Sequence, residues 1–174
     1  LDFLDEMAKG INNRITYGTQ NATYSGVLSS EEMLLNVAVH TPSENFQIRT
    51  NLVGTYNLPN VLLAVAVGSH FGVSNQHIKA AIEGYMPDNS RSQFVTTGSN
   101  KIILDAYNAN PTSMRAAITN FSKLHGKKAI WLGAMKEMGE DEVKEHQELI
   151  EYFEQWYWDD VILVGQEFEP HKGG

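Results

Sequence analysis

Two short stretches of this sequence, and an arginine between them, concentrate side chains that could bind or turn over a ligand. In Asp105-Ala106-Tyr107-Asn108-Ala109-Asn110-Pro111 a carboxylate is followed closely by amides and a proline. A carboxylate ending a buried strand can accept from sugar hydroxyls, and the amides opening the next helix can donate to an anion. A simpler reading stays open, in which Asp105 ends the strand and Asn110 caps the helix. In Gly54-Thr55-Tyr56-Asn57-Leu58-Pro59-Asn60, Asn57 and Asn60 stand on neighbouring faces of a helix start. Each amide offers a donor and an acceptor, which is the equipment for reading an adenine edge. Here too a cap at Asn57 and a solvated Asn60 would suffice. Between these stretches lies Arg91, whose rigid guanidinium fork suits a phosphate, although such an arginine is often a solvated hinge charge. Glu142 and His146 have the i, i+4 spacing of metal ligands, but no HExxH pattern and no third ligand accompany them, so a half-exposed helix histidine is expected.

The elements that must position these residues change character along the chain. Residues 1–55 read as short strands and turns. Leu35, Val37 and Val39 alternate with polar or small residues, as do Phe46, Ile48, Thr50 and Leu52, and a polar turn between them predicts a β-hairpin. Leu58 to His70 is almost wholly apolar and predicts a buried helix. A second helix should start at the cap Ser74 and bury Ile78, Ala81, Ile82 and Tyr85. Pro87-Asp88-Asn89-Ser90 is then the best domain boundary in the chain.

Beyond it the pattern becomes strand, helix, strand, helix, strand. The strands are Lys101–Asp105, Ala129–Leu132 and Val161–Val164. The first helix opens with Asn110 as cap and Pro111 at its first position, and carries Met114, Ala117, Ile118, Phe121 and Leu124 on one stripe. The second runs from about Asp141 to Trp156 with Val143, Ile150 and Phe153 inward. Trp156, Tyr157 and Trp158 are expected in core and interface. Such alternation implies parallel strands with right-handed crossovers, so the segments leaving the three strands should meet at the carboxyl edge of one sheet, where ligands bind. Residues alone thus point to a two-domain α/β protein with a ligand cleft at the domain junction.

Bulk properties exclude other classes. Of the 174 residues, 42% are hydrophobic and 20% charged, with a net charge of −8. That acidity leaves no basic stripe for nucleic acid. With no cysteine there is no disulfide framework and no thiolate metal site. No apolar run approaches the roughly 18 residues of a membrane span. The acidic start Leu1-Asp2-Phe3-Leu4-Asp5 lacks the basic region of a signal peptide, and the missing initiator methionine suggests a piece of a longer protein.

Four motifs in order carry a resemblance. They are Gly54-Thr55-Tyr56-Asn57-Leu58-Pro59-Asn60, Asn89-Ser90-Arg91-Ser92-Gln93, the run from Asp105 to Met114, and Leu132-Gly133-Ala134-Met135-Lys136-Glu137-Met138-Gly139. From about Gly54 onward the sequence resembles the Mur ligases, in particular their D-alanyl-D-alanine-adding branch, from which sister branches differ after the aspartate.

The resemblance implies that residues 1–87 are the end of a central ATPase domain, with strands and two helices. It implies that residues 88–174 are a truncated, Rossmann-like parallel-sheet C-terminal domain. It further implies ATP contacts at Asn57 and Asn60 (adenine), Arg91 (terminal phosphate) and Asp105 (ribose). Tyr107, Asn108 and Asn110 would border nucleotide and substrate, with the Gly133–Gly139 loop beside them. The implied reaction is cytoplasmic, ATP- and Mg2+-dependent amide ligation. A carboxylate of UDP-N-acetylmuramoyl-tripeptide would form an acyl phosphate, and the amine of D-alanyl-D-alanine would displace phosphate, in a monomeric enzyme of peptidoglycan synthesis. No nucleic-acid partner, membrane insertion, metal ligand or catalytic residue is expected within this stretch.

Two departures from the family pattern stand out. The sequence contains no G-x-x-x-x-G-K-[ST] loop, which would lie upstream of Leu1, so these 174 residues alone are expected to be inert. Ala134 also stands where many members carry aspartate. Competing readings are a folylpolyglutamate-synthase-like ligase of the same superfamily, disfavoured by the Asp105–Pro111 run, and a non-catalytic binding module.

Overall fold

The computed structural model describes residues 6–30, 33–88 and 90–171, so Asn89 and the first five residues lie outside the described part. The chain packs as two compact units. One comprises residues 1–50 and 57–85, the other residues 51–56 and 86–174.

In the first unit, β1 (Tyr17–Gly18), β2 (Tyr24–Leu28), β3 (Leu34–His40) and β4 (Asn45–Val53) form a sheet in that order. The alternation read from the sequence is realised, since Leu35, Val37 and Val39 on β3 and Ile48 and Thr50 on β4 are buried. The Thr50 hydroxyl donates to the Leu35 carbonyl at 2.8 Å, so the one polar group in that row is satisfied. Helix α1 (Leu58–His70) lies on β1, β2 and β3. Gly26 permits this approach, because a Cβ there would stand 2.7 Å from Leu62 Cδ2. α1 is buried on one side only. Leu58, Val61, Leu62, Val65 and Ala66 point inward, while Leu63 and Val67 are exposed. An all-apolar run hides the helical phase, so the expectation of a wholly buried helix was too broad. Helix α2 (Asn75–Gly84) starts at Ser74 as expected, and its hydroxyl accepts from the His77 amide. Of its predicted inner face only Ile78 is buried, and Tyr85 lies beyond the helix end, half exposed.

The second unit begins with a strand that the pattern alone did not reveal. β5 (Gln93–Thr97) pairs antiparallel with β6 (Asn100–Leu104), Thr97 facing Asn100 across a two-residue loop. Gly98 occupies the first loop position at φ +54°, the conformation such hairpins require there. β7 (Ala129–Gly133) and β8 (Asp160–Val164) pair in parallel, with helix α4 (Glu142–Phe153) in the connection. The parallel unit expected from the alternation is therefore present in β7 and β8, whereas β6 takes its hydrogen bonds from β5.

Helix α3 (Pro111–Ser122) opens with a reciprocal cap: Asn110 Oδ1 accepts from the Ser113 amide at 2.9 Å, and the Asn110 amide donates to Ser113 Oγ. Asn110→Ala is expected to cost about 1 kcal/mol, read as a lower denaturation midpoint of this unit. The core gathers Ile118 of α3, Ile130 and Leu132 of β7, Met135, Trp158 and Phe168 around Leu149, Ile150 and Phe153 of α4. Trp158 stacks on Phe121 at 5.8 Å and donates its indole N–H to the Phe153 carbonyl, whereas Tyr157 is exposed. Val143 is 62% exposed, against expectation. The buried face runs through residues 146, 149, 150 and 153, so His146 takes the first core position.

Candidate functional site

In the second unit Asp105 follows β6, and both of its carboxylate oxygens have partners. The Ser92 amide donates to Oδ1 at 3.1 Å and the Tyr56 hydroxyl donates to Oδ2 at 3.3 Å. Tyr56 Oη also lies 2.5 Å from Ser92 Oγ. Tyr56 reaches this cluster because residues 51–56 pack with the second unit. Gly54 turns the chain just before it at φ +88°, where an added Cβ would strike the Tyr56 ring.

Arg91 sits between two residues of left-handed backbone, Ser90 at φ +57° and Ser92 at φ +51°. For non-glycine residues that conformation costs about 1–2 kcal/mol each. Two bonds hold the turn in place. The Ala106 amide donates to the Ser90 carbonyl at 2.7 Å, and the Ser92 amide is fixed by Asp105. The result sets the exposed Arg91 guanidinium 3.5 Å above the Tyr107 ring. Stacked in this way, a guanidinium keeps its edge donors free to point at an anion.

Burial pushes the Tyr56 phenol up to about 12, helped by the Asp105 negative charge and opposed by the bond to Ser92. Because its value in the folded chain lies above the unfolded one, Tyr56 adds stability that is complete below about pH 10 and is lost as pH rises through about 12. An absorbance titration should therefore show one tyrosine ionising late, together with loss of structure. In Tyr56→Phe that late step is expected to vanish.

Asn57 and Asn60 belong to the first unit. Asn57 precedes α1 but makes no capping bond with its side chain; its Oδ1 accepts from Asn60 Nδ2 at 3.0 Å. Asn57 is buried and Asn60 exposed. The structure thus joins Asn57 to Asn60 and, separately, Arg91 to Tyr107. Asn108 is exposed, and the Asn110 side chain is engaged in its cap. Tyr56 and Ser92 were missed as site residues, although both lie inside the motifs that drew attention to their neighbours.

The segments after β7 and β8 share one sheet edge. The Ala134 amide donates to the Val164 carbonyl at 2.8 Å, and Lys136 pairs with Glu167. That cation, followed by the Glu167 backbone amide, holds the Glu167 carboxyl below its usual range. His146, expected half exposed, is fully buried. Its ring makes two backbone contacts that leave no nitrogen for a metal, and no cluster of three or more His, Cys, Asp or Glu able to hold an ion occurs among the described residues.

A parallel β7–α4–β8 unit with polar loops at its carboxyl edge is the open α/β arrangement in which ligands bind at that edge. Residues 90–172 match the family described as Mur ligase, glutamate ligase domain, and this part of the chain belongs to that family. The chain is similar to the UDP-N-acetylmuramoyl-tripeptide–D-alanyl-D-alanine ligase of Bacillus subtilis (strain 168), with 32% identity over 142 residues covering 76% of this chain and 31% of the relative. Among solved structures it superposes on MurF from Acinetobacter baumannii with a TM-score of 0.84 and 27% identity, covering 98% of this chain and 38% of that one. MurF ligase from Thermotoga maritima in complex with ADP shares the fold, at a TM-score of 0.70 and 19% identity over 92% of this chain and 42% of that one. The chain spans about a third of the length of the curated relatives that it matches.

Proposed function

We propose that the chain is part of an ATP-dependent amide ligase that joins D-alanyl-D-alanine to UDP-N-acetylmuramoyl-tripeptide in peptidoglycan synthesis. The observation that carries this reading is the 32% identity to the Bacillus subtilis ligase across 76% of the chain. On this reading residues 1–87 close a central ATPase domain and residues 88–174 form most of a C-terminal domain.

The donor set fits a nucleotide. Asp105 accepts one bond at each oxygen in the cluster, and a carboxylate oxygen has room for a second, so a ribose hydroxyl can be added without displacing Ser92 or Tyr56. Arg91 would meet the terminal phosphate, and Asn57 and Asn60 the adenine edge. Tyr107, Asn108 and the Gly133–Gly139 loop would border the incoming substrates, with Asn110 fixing the helix start behind them. Magnesium, bound elsewhere in the complete enzyme, would neutralise charge on the transferring phosphoryl group. The peptide carboxylate would take the γ-phosphoryl group with release of ADP, and the dipeptide amine would then displace phosphate to form the amide. The enzyme is expected to work in the cytoplasm as a monomer. No helix among the described residues is long and apolar enough to cross a membrane.

The reading is tested by mass spectrometry of the products made by the full-length protein from ATP, the UDP-linked tripeptide and candidate amines. A tripeptide extended by D-alanyl-D-alanine supports it. Extension only with glutamate on a folate acceptor would place the chain with the folylpolyglutamate-type ligases, and no amide product at all would favour a binding module.

A further inference from the structure

The buried imidazole of His146 has its protonation state dictated by its partners. Nε2 accepts the backbone N–H of Met135 at 3.0 Å, so Nε2 carries no proton. Nδ1 lies 2.7 Å from the Glu142 carbonyl, which can only accept, so Nδ1 carries one. The Phe168 ring packs nearly perpendicular to the imidazole, with the ring centroids 5.0 Å apart. Met135 is itself fully buried, so without Nε2 its amide would have no water to turn to.

We propose that His146 is a positioning residue: as the neutral Nδ1–H tautomer it fixes the Gly133–Gly139 loop at the carboxyl edge of β7 and β8, and protonation of the ring releases that loop. Met135 opens the loop interior, one residue after the Ala134 amide is tied to Val164. The next residue, Lys136, is exposed and paired with Glu167. Further along, Glu137 holds a left-handed conformation at φ +62°, which in a non-glycine residue needs a fixed frame. A proton on Nε2 would set two donors face to face at Met135.

The charged residues on elements packed against the ring are Glu142, Lys144, Glu145, Glu148 and Glu151 on its own helix, Glu140 and Asp141 in the 3-10 turn before it, Lys136 and Glu137 in the loop, and Glu167 and Glu169 in the 3-10 turn after β8. Glu167 pairs with Lys136, and its carboxylate also lies within electrostatic reach of a protonated His146. On α3, Arg115 is engaged by Glu148. The inference depends on the ligase reading only in taking this loop to face substrate. The hydrogen bonds do not depend on it, and the readout is the loop backbone, so either can fail without the other.

The experiment is a nitrogen-15 NMR titration of the 174-residue chain and of two variants, His146→Gln and His146→Leu. At neutral pH the wild-type ring is expected to show a protonated Nδ1 and a bare Nε2 coupled through the hydrogen bond to the Met135 amide. On acidification, the amides of residues 134–139 should shift together with ring protonation. Glutamine can accept from Met135 and donate to Glu142 but does not titrate. In His146→Gln, Met135 amide exchange should stay within about 3-fold of wild type and the acid transition of the loop should disappear. In His146→Leu exchange should rise about 10-fold or more. A protonated Nε2 at neutral pH overturns the proposal, as does unchanged Met135 exchange in the leucine variant. A wild-type acid profile in His146→Gln also overturns it, and that comparison is decisive even if the leucine variant does not fold.

Discussion

Asp105→Ala in the full-length protein is expected to lower kcat/KM for ATP by about 10- to 100-fold, mostly through KM. A hydrogen bond to a charged group contributes about 1.5–3 kcal/mol, and the variant would lose the one proposed to the ribose. It would also free the Ser92 amide and the Tyr56 hydroxyl, which at present converge on that carboxylate. The turn carrying Arg91 should loosen as a result, because its left-handed Ser92 is held through that amide bond. Asp105→Asn keeps the shape and one acceptor oxygen, and should fall between wild type and alanine. Steady-state kinetics with varied ATP check this. An unchanged KM in both variants would remove Asp105 from the nucleotide site and leave it as a strand-end brace.

The second large effect concerns stability. Leu149→Ala is expected to destabilise the second unit by about 2–5 kcal/mol, since Leu149 is 1% exposed at the centre of the core on α4. Val143→Ala on the same helix should stay within about 0.5 kcal/mol, because Val143 is 62% exposed. Urea denaturation followed by tryptophan fluorescence compares the two directly. Equal losses would mean that Val143 packs inward, as the sequence pattern implies.

That contrast shows why some features were legible in the sequence and others were not. The hairpin row Leu35, Val37 and Val39, the caps at Ser74 and Asn110, and the strands β6, β7 and β8 follow from period and capping chemistry that a single sequence exposes. The inner face of α4 follows only in part: Ile150 and Phe153 are buried as expected, but Val143 is exposed and the face is completed by Leu149 and by a histidine that no hydrophobicity pattern counts as apolar. His146 is buried because both ring nitrogens find backbone partners, and those partners lie at Met135 and Glu142, one of them outside the helix. β5 was missed for a different reason. Gln93-Phe94-Val95-Thr96-Thr97 lacks clean alternation, although its β-branched and aromatic residues followed by Gly98-Ser99 were a usable hairpin signal.

The candidate site was legible as motifs but not as geometry. Asp105 and Arg91 were named from residue type and resemblance. That Tyr56 and Ser92 tie them into one cluster depends on residues 51–56 packing with the second unit, a long-range fact that no local pattern encodes. Asn110, named as bordering the ligand, has its side chain in the helix cap, so the simpler reading of that residue describes its side chain.

The central claim is tested most directly by phosphate release from the full-length protein, supplied with ATP, magnesium and the UDP-linked tripeptide, with and without D-alanyl-D-alanine. The ligase reading predicts release that depends on the dipeptide, and none from the 174 residues alone, which contain no phosphate-binding G-x-x-x-x-G-K-[ST] loop. Release that ignores the dipeptide, or that the 174 residues sustain alone, would contradict it.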